Sequence, residues 1–265
     1  MSSAPVAALS NLARSGVTSA GKGKSMKRRI VLALVVAVAV CVATYERTLS
    51  AQGDSDLDVT RISINALINE TEKRSELPDV FLKVRWFPEE YWRLTLLRDP
   101  NVSADQAIEV AKLLRPYLII AVVDGVISSR GEARIEYKSE TTVRRSIRVK
   151  NGQGNTYKPL EDREIDPNVT NYLSEFKPFL RAEFGRFGEN THLVLFQGET
   201  DKGEPIADAQ KEATFFVEVG DSQYRFRTPL GSLLPQKRCG KCGDDVNGAY
   251  QFCPWDGTKL PPTRR

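Results

Sequence analysis

The apolar positions follow several different rhythms along the chain, and each rhythm predicts a different element. Residues 30–43 are small and apolar throughout, with no polar face. Residues 80–87 alternate, placing Val80, Leu82, Val84 and Trp86 on one side of a strand. Pro88 ends that strand, and residues 91–97 read as a second one. Residues 117–123 are apolar without alternation, which predicts a central strand covered on both faces. Residues 141–149 are strand-like, and Asn151-Gly152 signals a hairpin. Three further strands are expected at 192–196, 213–219 and 224–230.

Helical spacing appears in two places. Ser103 with Gln106 three residues on forms a capping box, and Ala107, Ile108, Ala111 and Leu114 then share one face up to Pro116. Asp166-Pro167 supplies an N-cap and first turn, followed by Tyr172, Leu173, Phe176, Leu180 and Phe184, with Gly185 closing the run and Pro178 predicting a kink within it. A short helix within 59–72 is also compatible with the pattern. The expected fold is α+β: a mainly antiparallel sheet with two amphipathic helices, an N-terminal hydrophobic targeting helix and a small C-terminal knuckle.

The apolar run is preceded by Lys27, Arg28 and Arg29 and followed by Asp54, Asp56 and Asp58. This is the order of a secretory signal, and the charge bias places the bulk of the chain outside the cytoplasm. Fourteen residues at helical rise span about 21 Å, short of a ~30 Å hydrocarbon core. Two outcomes stay open: a cleaved signal, or an anchor through residues 30–44. Met26 offers an alternative start, so residues 1–25 are a basic tail or lie upstream of the true start. The expected division is 1–25, a targeting segment at 26–51, an extracytoplasmic domain at 52–236 and a knuckle at 237–265. The segments Asp99-Pro100-Asn101-Val102-Ser103 and Asp166-Pro167-Asn168-Val169-Thr170 are nearly alike, so the central domain reads either as two related halves or as two uses of one turn chemistry.

Charge narrows the function classes. The formal net charge is +4. Six bases and no acid lie in residues 1–43, leaving 32 basic against 34 acidic residues in the remainder. A chain built to neutralise phosphates along its whole body carries the opposite balance, so no nucleic-acid partner is expected. His192 is the only histidine. A triad would need a nucleophile and an orienting carboxylate beside it, so His192 reads as structural. Glu89-Glu90 and the group Glu161, Asp162, Glu164, Asp166 are candidate carboxylate pairs for hydrolysis; adjacent loop acids are more often solvated. Trp86, Phe87, Tyr91 and Trp92 form either a binding platform or core, with core favoured.

The C-terminal cysteines are the most specific signal. Cys239-Gly240-Lys241-Cys242-Gly243 is a C-x-x-C-G turn, and Cys253-Pro254-Trp255-Asp256-Gly257 follows ten residues later. Asn247-Gly248 can turn a hairpin between them, with Tyr250 and Phe252 on the return strand. This segment, about residues 238–260, resembles a zinc ribbon, in which two such turns grip one metal. The resemblance implies a structural zinc on Cys239, Cys242, Cys253 and Asp256, with Asp256 standing where the family has cysteine. A carboxylate there still suits Zn²⁺ and disfavours an iron–sulfur cluster. A Cys239–Cys242 disulfide and a metal-free ribbon are the alternatives.

Together these features predict a non-enzymatic cell-envelope binding or assembly protein. It would hold to the membrane through its N-terminal segment, or be secreted after cleavage, and would engage a protein partner. The alternative is an extracytoplasmic carboxylate-based hydrolase, which requires two acids to converge in one cleft.

Overall fold

The computed structural model describes residues 62–128 and 134–262. The expected basic tail at 1–25 and targeting segment at 26–51 lie outside the described residues. The remainder is α+β with five α-helices and mainly antiparallel sheets.

Helix α1 (Ile64–Thr71) is capped by Ser63, whose side chain accepts from the Ala66 N–H. It runs directly into β1 (Glu72–Arg74), which pairs with β2 (Val80–Phe87). The next element corrects the sequence-based expectation, since residues 91–97 belong to helix α2 (Glu89–Leu97) and not to a strand. Trp92, Leu94 and Leu96 alternate as in a strand. Pro88 breaks the chain's direction, and Glu89 and Glu90 sit in the first helical turn, where negative charge is favoured. Tyr91, Trp92, Leu94 and Leu96 are all buried, so the helix is covered over most of its circumference and shows no clean amphipathic period.

Helix α3 (Ala104–Leu114) begins at the predicted capping box. The Gln106 N–H donates to Ser103 Oγ at 3.2 Å, and the Ser103 N–H donates to Gln106 Oε1 at 2.9 Å. Its buried face is Ala107, Val110, Ala111 and Leu114, with Ile108 exposed. Strand β3 (Tyr117–Ser128) is the centre of the first sheet. It pairs with β2 along one edge. Its other edge takes β7 (His192–Gln197) over residues 117–122 and β4 (Arg134–Tyr137) over 125–128. Leu118 to Val123 are all buried, as a strand covered on both faces requires.

A second correction follows β4. Residues 140–146 form helix α4 (Glu140–Ser146), and only then does β5 (Ile147–Asn151) begin. Thr141, Thr142 and Val143 favour a strand by side-chain branching. The Ser139 cap, Glu140 in the first turn and Arg144 and Arg145 in the last outweigh that preference. Strand β5 hairpins to β6 (Thr156–Tyr157), and the second sheet is completed by β8 (Ala213–Val219) and β9 (Ser222–Thr228), in the order β6-β5-β8-β9. Helix α5 (Pro167–Phe184) is capped by Asp166, buries Val169, Leu173, Phe176, Leu180 and Phe184, and spans Pro178. In both of the similar segments the Asp side chain accepts from the Asn N–H two residues on. Only at Asp166 does that turn open the helix itself; after Asp99 the helix waits for Ser103.

Strand β2 separates two cores. Trp86 meets Phe215 edge-on at 5.0 Å, and Phe215 stacks on Phe226 at 4.9 Å, so the two sheets pack face to face there. On the opposite face Phe87, Tyr91 and Trp92 pack together and against Phe176 of α5. The aromatic cluster is therefore core, with each of Trp86, Phe87, Tyr91 and Trp92 at most 2% exposed. The same face carries a buried ion network. Glu72 accepts from Arg85 and pairs with Lys83 at 2.9 Å, and Arg85 reaches across to Glu183 of α5. The Arg85 guanidinium lies 4.3 Å from the centre of the Phe184 ring.

Candidate metal centre

After β9 the chain passes a 3₁₀ turn (Gly231–Leu233) and enters the knuckle, where β10 (Lys237–Arg238) pairs with β11 (Asp245–Val246). Two turns with one geometry follow from the two Cys-x-x-(Cys/Asp)-Gly sequences. In the first, the Gly243 N–H donates to the Cys239 carbonyl at 3.0 Å. In the second, the Gly257 N–H donates to the Cys253 carbonyl at 3.0 Å. Gly243 and Gly257 sit at φ 79° and 72°, a left-handed conformation that only glycine adopts without cost. Asp256 thus takes in the second turn the place that Cys242 takes in the first.

The ligand atoms of Cys239, Cys242, Cys253 and Asp256 all lie within 4.8 Å of one another. Cys242 Sγ and Cys253 Sγ are 3.7 Å apart, and Cys239 Sγ is 3.5 Å from Asp256 Oδ2. Tetrahedral coordination at ordinary zinc distances would place two thiolates about 3.8 Å apart and a thiolate and carboxylate oxygen about 3.6 Å apart. The donor set and its spacing therefore fit a small four-ligand metal site. The three thiols are free, and Cys239 and Cys253 are buried with Val246 and Leu260 in a miniature core.

Electrostatics within the turns favours charged ligands unevenly. Backbone N–H groups of Cys242 and Lys241 point at the Cys239 sulfur and lower its pKa, stabilising the thiolate. The Asp244 N–H does the same for Cys242, but removal from water and the adjacent thiols of Cys239 and Cys253 push Cys242 up to about 12. Three thiols cannot all ionise side by side without a cation among them. The Asp256 carboxyl is held well below its usual range by the backbone and side chain of Thr258, whose N–H donates to Oδ1 at 2.8 Å.

The knuckle is fastened to the body by Glu70 and Ser232, which sequence reasoning did not single out, and by Asn247, which it read only as a turn residue. Glu70 of α1 accepts from Asn247 Nδ2 at 2.6 Å through one carboxylate oxygen. Through the other it accepts from the Ser232 N–H at 3.0 Å and from Ser232 Oγ at 2.8 Å. Gly231 lies so close to the Asn247 side chain that any β-carbon there would collide with it. No local pattern could have revealed this, because the partners are 162 and 177 positions apart.

The other candidates have structural surroundings. His192 Nε2 donates to the Lys138 carbonyl at 3.1 Å. Glu89 binds Arg115, Glu161 pairs with Arg163, and Glu164 closes a turn onto the Glu161 N–H. Asp162 lies 3.8 Å from Arg144, and Asp166 caps α5. Glu90 is buried and accepts from Gln210 Nε2 at 2.8 Å. Asp124, also buried, pairs with Lys138 through Oδ2, while its Oδ1 has no partner among the described residues. The chain matches no protein-family model, no curated protein and no solved structure.

Proposed function

We propose that this chain is a non-enzymatic cell-envelope binding or assembly protein whose C-terminal knuckle is built around a structural zinc ion. The observation that carries the reading is the closed set of three sulfurs and one carboxylate within 4.8 Å, fixed to α1 through Asn247 and Glu70. A tetrahedral ion held by four side chains keeps no position for a substrate, so its work is to hold two turns together. The hard oxygen of Asp256 beside three thiolates suits Zn²⁺ over a cluster of iron and sulfide. A bound ion also shields the thiols, which reconciles them with an oxidising compartment.

The envelope assignment rests on the basic residues and apolar run of 26–51. The partner assignment is supported by the knuckle surface, where Tyr250, Phe252 and Trp255 are 46%, 55% and 73% exposed. Large aromatics on a small rigid frame are the side chains that anchor protein interfaces.

Metal analysis of the purified full chain tests the first half, with one zinc per chain expected. Affinity capture from envelope extracts with the full chain and with the Phe252→Ala/Trp255→Ala variant tests the second. Loss of the same captured protein from the variant supports the reading, and an unchanged set of captured proteins counts against it. A membrane-impermeant thiol reagent on intact cells reports the compartment: zinc-stripped chain that stays unlabelled until lysis would remove the envelope assignment.

A further inference from the structure

The second sheet has one face in the core and one in solvent, and the two differ sharply in charge. Its strands alternate: Ile147, Val149, Phe215, Val217 and Phe226 point inward and are buried. The intervening residues face outward, and four of them are cations: Arg148 and Lys150 on β5, Arg225 and Arg227 on β9. Register places them in one patch. Lys150 stands opposite Phe216, Phe216 opposite Arg225, and Arg148 opposite Glu218.

Neutralisation within the patch is slight. Glu218 lies 3.7 Å from Lys150. Among the described residues, no carboxylate pairs with Arg148, Arg225 or Arg227. Arg225 instead rests 5.9 Å from the centre of the half-buried Phe216 ring. Arg148 donates to the Ile147 carbonyl. Three guanidinium groups without a carboxylate partner thus share a broad, regular surface, and their positive field favours an anion outside the chain.

We propose that this outer face of the second sheet lies against an anionic phospholipid surface, and the inference rests on the envelope reading above. Charge complementarity selects a phosphate-bearing partner, because a guanidinium binds phosphate oxygens in a bidentate fork. The layout of the face selects a lipid layer over a nucleic-acid strand. A bound strand stacks successive bases on several aromatic platforms, whereas this face offers Phe216 alone. A headgroup layer requires only spaced cations and a shallow apolar contact. A chain held to the bilayer by residues 30–44 would keep the face within reach of such headgroups.

The test uses the full chain reconstituted into lipid nanodiscs of phosphatidylcholine, with or without phosphatidylglycerol. Arginines are modified by a dicarbonyl reagent and quantified by mass spectrometry. Labelling of Arg148, Arg225 and Arg227 is expected to fall several-fold in the anionic discs and to recover in high salt. Arg163 and Arg181, which lie elsewhere with carboxylate partners, should not change. Equal labelling in both kinds of disc would overturn the proposal. So would equal protection by a single-stranded oligonucleotide in phosphatidylcholine discs, which would name a different occupant. A chain that fails to enter discs removes the membrane anchor beneath the inference; the same labelling with anionic vesicles added then decides the face by itself.

Discussion

Asn247 donates its side-chain amide to Glu70 at 2.6 Å, joining the knuckle to the first helix across 177 positions of sequence. Because the other oxygen of Glu70 holds Ser232, one carboxylate fixes both the knuckle and the turn that leads into it. The knuckle is therefore mounted on the body through a single side chain.

Replacing Glu70 by Ala should release that mount. Three hydrogen bonds to a charged acceptor are lost, for a cost of about 1–3 kcal/mol given the half-buried site. Amide hydrogen exchange should rise in residues 231–248, while the first and second sheets keep their protection. Gly231→Ala should give the same local signature by displacing Asn247. Unchanged exchange in both variants would mean that the contact does not hold the knuckle.

Asp256→Cys completes a four-thiolate set in a turn already shaped for cysteine, and it should retain one metal per chain with tighter binding. Asp256→Ala should weaken zinc by more than the roughly 10–100-fold typical of losing a supporting group behind a ligand. Competition against a chromophoric chelator measures both. Equal affinity in the wild type and the alanine variant would exclude the carboxylate as a ligand. Chelation of the wild type should leave the two sheets folded and loosen residues 237–260, because those residues enclose a core of only Cys239, Val246, Cys253 and Leu260.

Two buried carboxylates should shift stability in opposite directions with pH. Burial alone would raise the Glu72 pKa, but hydrogen bonds from Lys83, Arg85 and Arg74 overcome that and hold it below its ordinary 4.5. Its stabilising contribution is complete above about pH 4.5 and is lost as pH falls through the depressed folded value. Glu72→Gln should therefore flatten the acid limb of the stability curve and cost about 2 kcal/mol near neutrality. That is less than a fully broken buried pair, since Arg85 keeps Glu183.

Glu90 shows the reverse behaviour. Burial raises its pKa, against opposing hydrogen bonds from Gln210 and its own backbone N–H. The folded state then holds a proton that the unfolded state has released, so the contribution of Glu90 declines as pH rises above about 4.5. Glu90→Gln should stabilise the protein at pH 8 and have little effect at pH 4. Chemical denaturation at the two pH values checks it, and destabilisation at both would indicate that the ionised carboxylate is what the site holds.

Local chemistry determined a good part of this protein. The Ser103–Gln106 box, the Asp166 cap, the uniformly apolar central strand and the spacing of Cys239, Cys242, Cys253 and Asp256 were readable because each depends on residues within a turn or two of one another. Residues 91–97 and 141–146 read as strands for a related reason. Alternating or β-branched side chains mimic a strand wherever a helix is buried nearly all round or is only two turns long; the correct signal was the acidic first turn after Pro88 in the one, and the Ser139 cap with its terminal charges in the other. Tertiary structure alone decided which distant groups meet: Glu70 with Ser232 and Asn247, Arg85 with Glu72 and Glu183, and four cations on one sheet face. Those pairings arise from strand register and from the packing of layers, whose energy is spread over many nonlocal contacts and leaves no short motif in the chain.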